Sequence, residues 1–186
     1  NTPVRGNIIE NNTIYDIYSS ILDYSVGGRG AYGILINHAS PSAGGQTIAP
    51  QILNNTIYNM EGLWAHGIGL EGNTPNALVQ DNYIHHLTDH KSPADPDAAA
   101  IMVEDNPSAS TVTIYHNKFE NVWLGVRNQM TPILVNAENN YWGTLLGTEI
   151  DDMTLGNVDF GPWCNSDFSD CTYGAGGTPG PVTSID

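Results

Sequence analysis

Four short apolar alternations in this chain each end on a polar residue: Ile34-Leu35-Ile36-Asn37, Ile68-Gly69-Leu70-Glu71, Ile101-Met102-Val103-Glu104 and Leu124-Gly125-Val126-Arg127. A period of two marks a half-buried strand, with Ile34, Ile36 and their equivalents turned inward and the closing polar residue outward. Stacked as neighbours in one parallel sheet, Asn37, Glu71, Glu104 and Arg127 would stand about 4.8 Å apart in an outward column. Two carboxylates that close repel unless a cation lies between them, a proton is shared, or Arg127 compensates one of them. The competing reading is a surface ion pair between Glu104 and Arg127 with Glu71 solvated, which contributes little.

The stacking is read from a second pattern. Asn11-Asn12-Thr13-Ile14 recurs as Asn54-Asn55-Thr56-Ile57, Asp81-Asn82-Tyr83-Ile84, His116-Asn117-Lys118-Phe119 and Asn139-Asn140-Tyr141-Trp142. Three residues before the second position stand Ile9, Ile52, Val79, Ile114 and Ala137. Two after it stand Ile14, Ile57, Ile84, Phe119 and Trp142, and five after it Ile17, Met60, Leu87, Val122 and Leu145. One polar residue framed by apolar ones at fixed offsets suits stacked turns, in which each residue type lies on its own kind. The five Asn are 43, 27, 35 and 23 residues apart. The shortest interval holds two or three strands of roughly five residues with tight corners, whereas a two-helix repeat takes about 33 or more. Asn12, Asn55, Asn82, Asn117 and Asn140 are therefore read as structural amides bonded to neighbouring turns.

From each Asn to the first inward residue of the next alternation the chain takes 22, 13, 19 and 7 residues, so the first three turns carry insertions at one corner. Same-corner insertions build one wall of a groove. They contain Tyr18, Asp23, Tyr24, Arg29 and Tyr32, then Glu61, Trp64 and His66, then Asp89, His90, Lys91, Asp95 and Asp97; Trp123 stands at the bare corner of the fourth. A further loop, His38 to Thr47, extends the opposite side. Rings offer flat apolar area and acids accept hydroxyl hydrogens, so Tyr24, Tyr32, Trp64, His66 and Trp123 are candidate sugar-binding residues. For Trp64 and Trp123 the alternative is a loop folded back over an apolar corner. His85, His86 and His90 with Asp89 form the densest His cluster, read either as a solvated loop or as a Zn²⁺ or Cu²⁺ set.

Five basic against twenty acidic residues give a formal charge of −15. Nucleic acid is excluded as a partner, because neutralising phosphates takes clusters of Lys and Arg. An anionic polysaccharide would be repelled unless Ca²⁺ bridged it, which leaves a neutral glycan or a cation as the easier ligand. Cys164 and Cys171 are the only cysteines; they suit a small disulfide loop and an oxidising compartment, with a zinc site as the competing reading. There is no apolar run of membrane-spanning length and no leader, which a secreted chain would have lost before this numbering begins. Residues 1 to 17 form a first turn without a polar cap, an edge expected either to continue a longer helix or to meet another chain.

Asn139-Asn140-Tyr141-Trp142-Gly143, followed by Gly156-Asn157-Val158-Asp159-Phe160-Gly161-Pro162-Trp163, resembles the closing segment of right-handed parallel β-helix proteins of the pectate-lyase-like superfamily, especially secreted and surface-attached bacterial ones. The resemblance covers roughly residues 4 to 163. It implies an all-β, single-stranded right-handed parallel β-helix, and the superfamily spans lyases, hydrolases, epimerases, adhesins and phage spikes. By this resemblance an Asn and Glu ladder would hold Ca²⁺ through Asn37, Glu71 and Glu104. The catalytic set would be Glu71, Glu104 and a basic residue, Lys91 or Arg127. A retaining glycosidase is disfavoured: the triple-Asp pattern of the polygalacturonase-like branch is missing, and the adjacent pair Asp151-Asp152 lies beyond the repeats.

The expected architecture is a β-helix of about five rungs with a C-terminal cover over residues 1–163, then a disulfide loop and a Gly/Pro-rich extended tail over 164–186. Two functions fit. One is an extracellular surface module for glycan contact, adhesion or end-to-end assembly, whose partners are a neutral or Ca²⁺-bridged polysaccharide or like subunits stacking through exposed ends. The other is a polysaccharide lyase or related enzyme working over Asn37, Glu71 and Glu104.

Overall fold

The computed structural model describes residues 4–19, 30–37, 47–90 and 97–174. Tyr24, Lys91, most of the loop from His38, and the tail from Ala175 to Asp186 lie outside the described residues. Among those described, every ladder between strands is parallel, and the only helices are Gly147–Asp152 and a short 3-10 turn, Ala109–Thr111. The chain is all-β.

Three sheets carry the fold. The first contains Ile8–Glu10, Gln51–Leu53, Leu78–Gln80, Thr113–Tyr115, Val135–Asn136 and Val158–Asp159. The second contains Thr13–Tyr18, Thr56–Gly62, Tyr83–Asp89 and Lys118–Glu120, and the third Ala31–Asn37, Ala65–Glu71, Ala99–Glu104, Leu124–Asn128 and Thr154–Leu155. A small ladder joins Val4–Arg5 to Thr47–Ile48. The chain visits the three sheets in turn and comes back to the first one strand further along.

The register puts like on like. Ile9, Ile52, Val79 and Ile114 align in the first sheet; Ile14, Ile57, Ile84 and Phe119 align in the second. From Ile52 and Ile57 onward these side chains are buried, each contributing roughly 1.5–3 kcal/mol by leaving water. Between them run the Asn residues. The main-chain N–H and the Nδ2 of Asn12, Asn55, Asn82 and Asn117 donate to Oδ1 of the next Asn at 2.8–3.0 Å, ending on Asn140. The residue before each of these Asn (Asn11, Asn54, Asp81, His116 and Asn139) has φ of 54–58°, a left-handed corner that Asn and Asp tolerate. A second left-handed corner stands five residues on, at Asp16, Asn59, His86 and Asn121, which fixes why His86 leaves the strand face that His85 occupies.

Two expectations are corrected. Leu145 does not continue the Ile17, Met60, Leu87 column: it is 41% exposed, ahead of the helix Gly147–Asp152. The rest of the C-terminal cover expected with it is present: Ile150, Val158, Phe160 and Trp163 are buried, with Phe160 between the rings of Trp142 and Trp163. In the third sheet Ile34, Ile68 and Ile101 align with Val126, not Leu124, so Arg127 lies beside Met102 and falls short of the Glu104 position. A two-residue slip keeps every side chain on its own face, so alternation is blind to it.

Candidate functional site

The outward column begins as expected. Asn37 pairs with Glu71 and Glu71 with Glu104 across adjacent strands, and Asn37 Nδ2 donates to Glu71 Oε2 at 2.6 Å. The fourth place belongs to Gln129, whose main-chain N–H donates to the Val103 carbonyl. In the amide orientation that satisfies both neighbours, Gln129 donates to Glu104 Oε1 at 2.8 Å and accepts from Arg127 Nη2 at 3.2 Å. Arg127 itself forms a nearly buried ion pair with Asp97. The direct Glu104–Arg127 pair is thus replaced by one between Arg127 and Asp97, with Gln129 as the bridge.

A kink brings a second row onto the same face. Gly33 and Gly67 drop out of the pairing between their strands, because a Cβ at Gly33 would come within 2.6 Å of the Gly67 carbonyl oxygen and 2.7 Å of Ile57 Cγ2. At Gly67 a Cβ would come within 2.7 Å of the Ala100 carbonyl oxygen; only a residue without a side chain permits this approach. The inward positions on either side, Ala31 and Ile34, are consequently three residues apart instead of two. Tyr32 and His66 therefore line the same cleft as Glu71 and Glu104 despite opposite parity. The cleft holds about 350 Å³ and is lined by Tyr32, Trp64, His66, Glu71, Asp97, Met102, Glu104, Asp105 and Gln129.

His66 is 2% exposed and meets the Tyr32 ring edge-on at 5.1 Å. Its Nε2 is 2.8 Å from the Asp97 carbonyl oxygen. A carbonyl only accepts, so Nε2 carries the proton and Nδ1 offers a lone pair; that nitrogen is buried and has no partner among the described residues. Burial and the nearby Arg127 charge, opposed by Asp89, push the imidazole down to about 3, so the ring is neutral. Asp89 sets the Asp97 end of this network by accepting the main-chain N–H groups of Asp97 and Ala98 at 2.6 and 2.9 Å. Burial, with the charges of Glu71 and Asp105, raises the Glu104 carboxyl above its ordinary value. Burial and the hydrogen bond to Glu71 raise the Tyr32 phenol far above its own.

The remaining candidates separate. Trp123 is 49% exposed and lines a different, shallower cavity with Leu87, Asn121 and Val122. Of the three histidines, His85 and His86 meet, Nδ1 to Nδ1 at 2.6 Å, whereas His90 stands apart with Nε2 2.6 Å from Glu61 Oε1; the His85 ring also stacks on Tyr58, which stacks on Tyr15. Tyr58 is thus covered on both faces, while Tyr15 at the end of the stack is 53% exposed. The sequence reading missed Gln129, Met102 and Asp105 as lining residues. The signal for Gln129 lay in the register, which alternation alone does not fix. Cys164 and Cys171 form a disulfide, and no helix among the described residues is long and apolar enough to cross a membrane. Set against known proteins, the chain matches no family model, and no curated protein or solved structure matches it with significance.

Proposed function

We propose that the three sheets wind as a right-handed parallel β-helix of about five rungs, in the manner of the pectate-lyase-like superfamily, and that the protein is an extracellular surface module binding a glycan in the Glu71–Glu104 cleft. The observation that carries this reading is the cleft lining itself, in which the Tyr32 and Trp64 rings stand beside three carboxylates, those of Glu71, Glu104 and Asp105. With these the cleft offers mainly acceptors. Its ligand must bring donors, as the hydroxyls of a neutral sugar or the ammonium of an amino sugar do. A uronate polymer brings further negative charge and is repelled.

Calcium fits the same site. Glu71, Glu104 and Asp105 supply hard oxygen donors, and the Glu104 carboxyl, raised by burial and then by the charges of Glu71 and Asp105, would be held ionised by a divalent cation. When bound, the ion would bridge the cleft to anionic sugars. Asn37 already turns its amide N–H towards Glu71, so its contribution would be through Oδ1.

Affinity electrophoresis through gels containing neutral, amino or uronate polysaccharides tests the proposal. Retardation is expected in the neutral or amino gels, at least tenfold weaker for Trp64→Ala, with uronate binding only in added calcium. Free migration in every neutral and amino gel would refute it. A lyase using the same cleft is the second reading, favoured by Glu104, whose carboxyl is held towards its protonated form. Its proposed base is less available: Arg127 is engaged with Asp97 and Gln129. Appearance of unsaturated sugar ends by ultraviolet absorbance, lost in Glu104→Gln, would favour the enzyme.

A further inference from the structure

The sequence offers two thiols without a nearby histidine in the chain. The fold supplies one. His116, forty-eight residues before Cys164, is the left-handed corner residue of its turn, and its ring packs against Phe168 inside the disulfide loop at 5.3 Å. A ring nitrogen of His116 and the two sulfurs of Cys164 and Cys171 all lie within 4.8 Å of one another. Asp81, at the same corner one strand earlier, places Oδ1 3.8 Å from His116 Nδ1. Two sulfurs and an imidazole are three of the four donors of a tetrahedral zinc site, with the Asp81 carboxylate close by but beyond hydrogen-bond distance of the ring.

While the disulfide is intact the sulfurs are poor ligands. We infer that reduction converts this corner into a Cys164–Cys171–His116 zinc site, with a fourth position open to water. The reductant is a dithiol: its two electrons break the Cys164–Cys171 bond, it becomes a disulfide itself, and its two protons pass to the Cys sulfurs. Zn²⁺ then displaces both thiol protons and forms two Zn–S bonds. Tetrahedral coordination at about 2.3 Å sets the sulfurs roughly 3.8 Å apart. That separation is within reach because Cys171 is only half-buried on an eight-residue loop while Cys164 stays buried. The consequence is a staple that survives reduction: the loop 164–171, closed by a covalent bond when oxidised, is closed by the metal instead and is tied through it to the His116 corner. The proposal is independent of the glycan cleft, which lies on the third sheet.

The test uses the full chain. Oxidised protein and protein reduced with a water-soluble phosphine, which is consumed to phosphine oxide, are each mixed with zinc sulfate, desalted and assayed for metal by mass spectrometry. One zinc per reduced chain and none per oxidised chain is expected, with at least tenfold weaker binding for His116→Ala. Cobalt in place of zinc is expected to give a thiolate charge-transfer band and tetrahedral d–d absorption. Equal zinc on oxidised and reduced protein, undiminished affinity in His116→Ala, or loss of the β-sheet circular dichroism on reduction in the presence of zinc would each overturn the inference. A Cys164→Ser/Cys171→Ser double variant that keeps its dichroism but takes up no zinc separates loss of ligands from loss of fold.

Discussion

Two polar columns climb this molecule at the same spacing, and they behave in opposite ways. The inner one, Asn12 to Asn140, satisfies itself: an amide is both donor and acceptor, so Asn55, Asn82 and Asn117 each donate upward from N and Nδ2 and accept from below at Oδ1, while Asn12 starts the ladder and Asn140 ends it by donating to main-chain carbonyls. The outer one, Asn37, Glu71, Glu104 and Gln129, has two carboxylates at its centre, and a carboxylate is acceptor only. Amides finish the column at both ends, where Asn37 donates to Glu71 and Gln129 to Glu104. In the middle the two carboxylates face each other, with the Tyr32 hydroxyl donating to Glu71, and that is where the cleft opens. A repeated amide makes a core, whereas a repeated carboxylate lines an open cleft.

The contrast is broken most forcefully from the inside. Asn82→Ala removes the acceptor for Asn55 and the donor to Asn117 and to the Ile52 carbonyl, all buried. Several unsatisfied groups at 1–3 kcal/mol each put the loss at about 4 kcal/mol, read as a shifted midpoint in chemical denaturation. Glu71→Gln, at the matching place in the outer column, should change that midpoint by less than about 0.5 kcal/mol. Similar losses for the two would end the distinction.

His66 gives the next largest effect. Its folded value of about 3 lies below the ordinary value of 6.5, so between those limits the unfolded chain takes up a proton that the folded chain refuses. Stability therefore rises with pH across this window and is lost on acidification, by about 3 kcal/mol between pH 7 and pH 4. Denaturation midpoints at the two pH values should differ less by that amount in His66→Phe. An unchanged pH dependence would mean that His66 is not held neutral by its surroundings.

Glu104 has the opposite sign and the smallest effect. Its raised carboxyl penalises the fold once ionised, fully above its folded value and not at all below its unfolded one. Glu104→Gln should stabilise the protein at pH 7 by at most about 1 kcal/mol, since the group is partly solvent-screened, and the gain should vanish in acid. A destabilised Glu104→Gln at pH 7 would show that the outer column is satisfied after all.

The inner column was legible because its signal is local: Asn55, Asn82 and Asn117 carry the same neighbours at the same offsets whatever the length of chain between them. The outer column was legible only as far as Glu104. Past that point Arg127 and Gln129 compete for one place two residues apart, and the apolar pattern Leu124, Val126 fits both. The second row, Tyr32 and His66, was named as a groove residue set, but its meeting with Glu71 depends on the kink at Gly33 and Gly67, which period-two reasoning does not contain. Trp123 shares the composition of the cleft residues and sits elsewhere.

By itself the sequence determined that the chain stacks parallel strands around a ladder of amides, since burying a polar side chain in every turn has a solution only when the same group waits in the next. The tertiary structure alone decided which acids face one another, that Asp97 and not Glu104 takes the guanidinium of Arg127, and that His116 stands over the disulfide. Those contacts join residues of different turns, and the loops between turns differ in length, so their alignment follows from packing and hydrogen-bond register and not from distance along the chain.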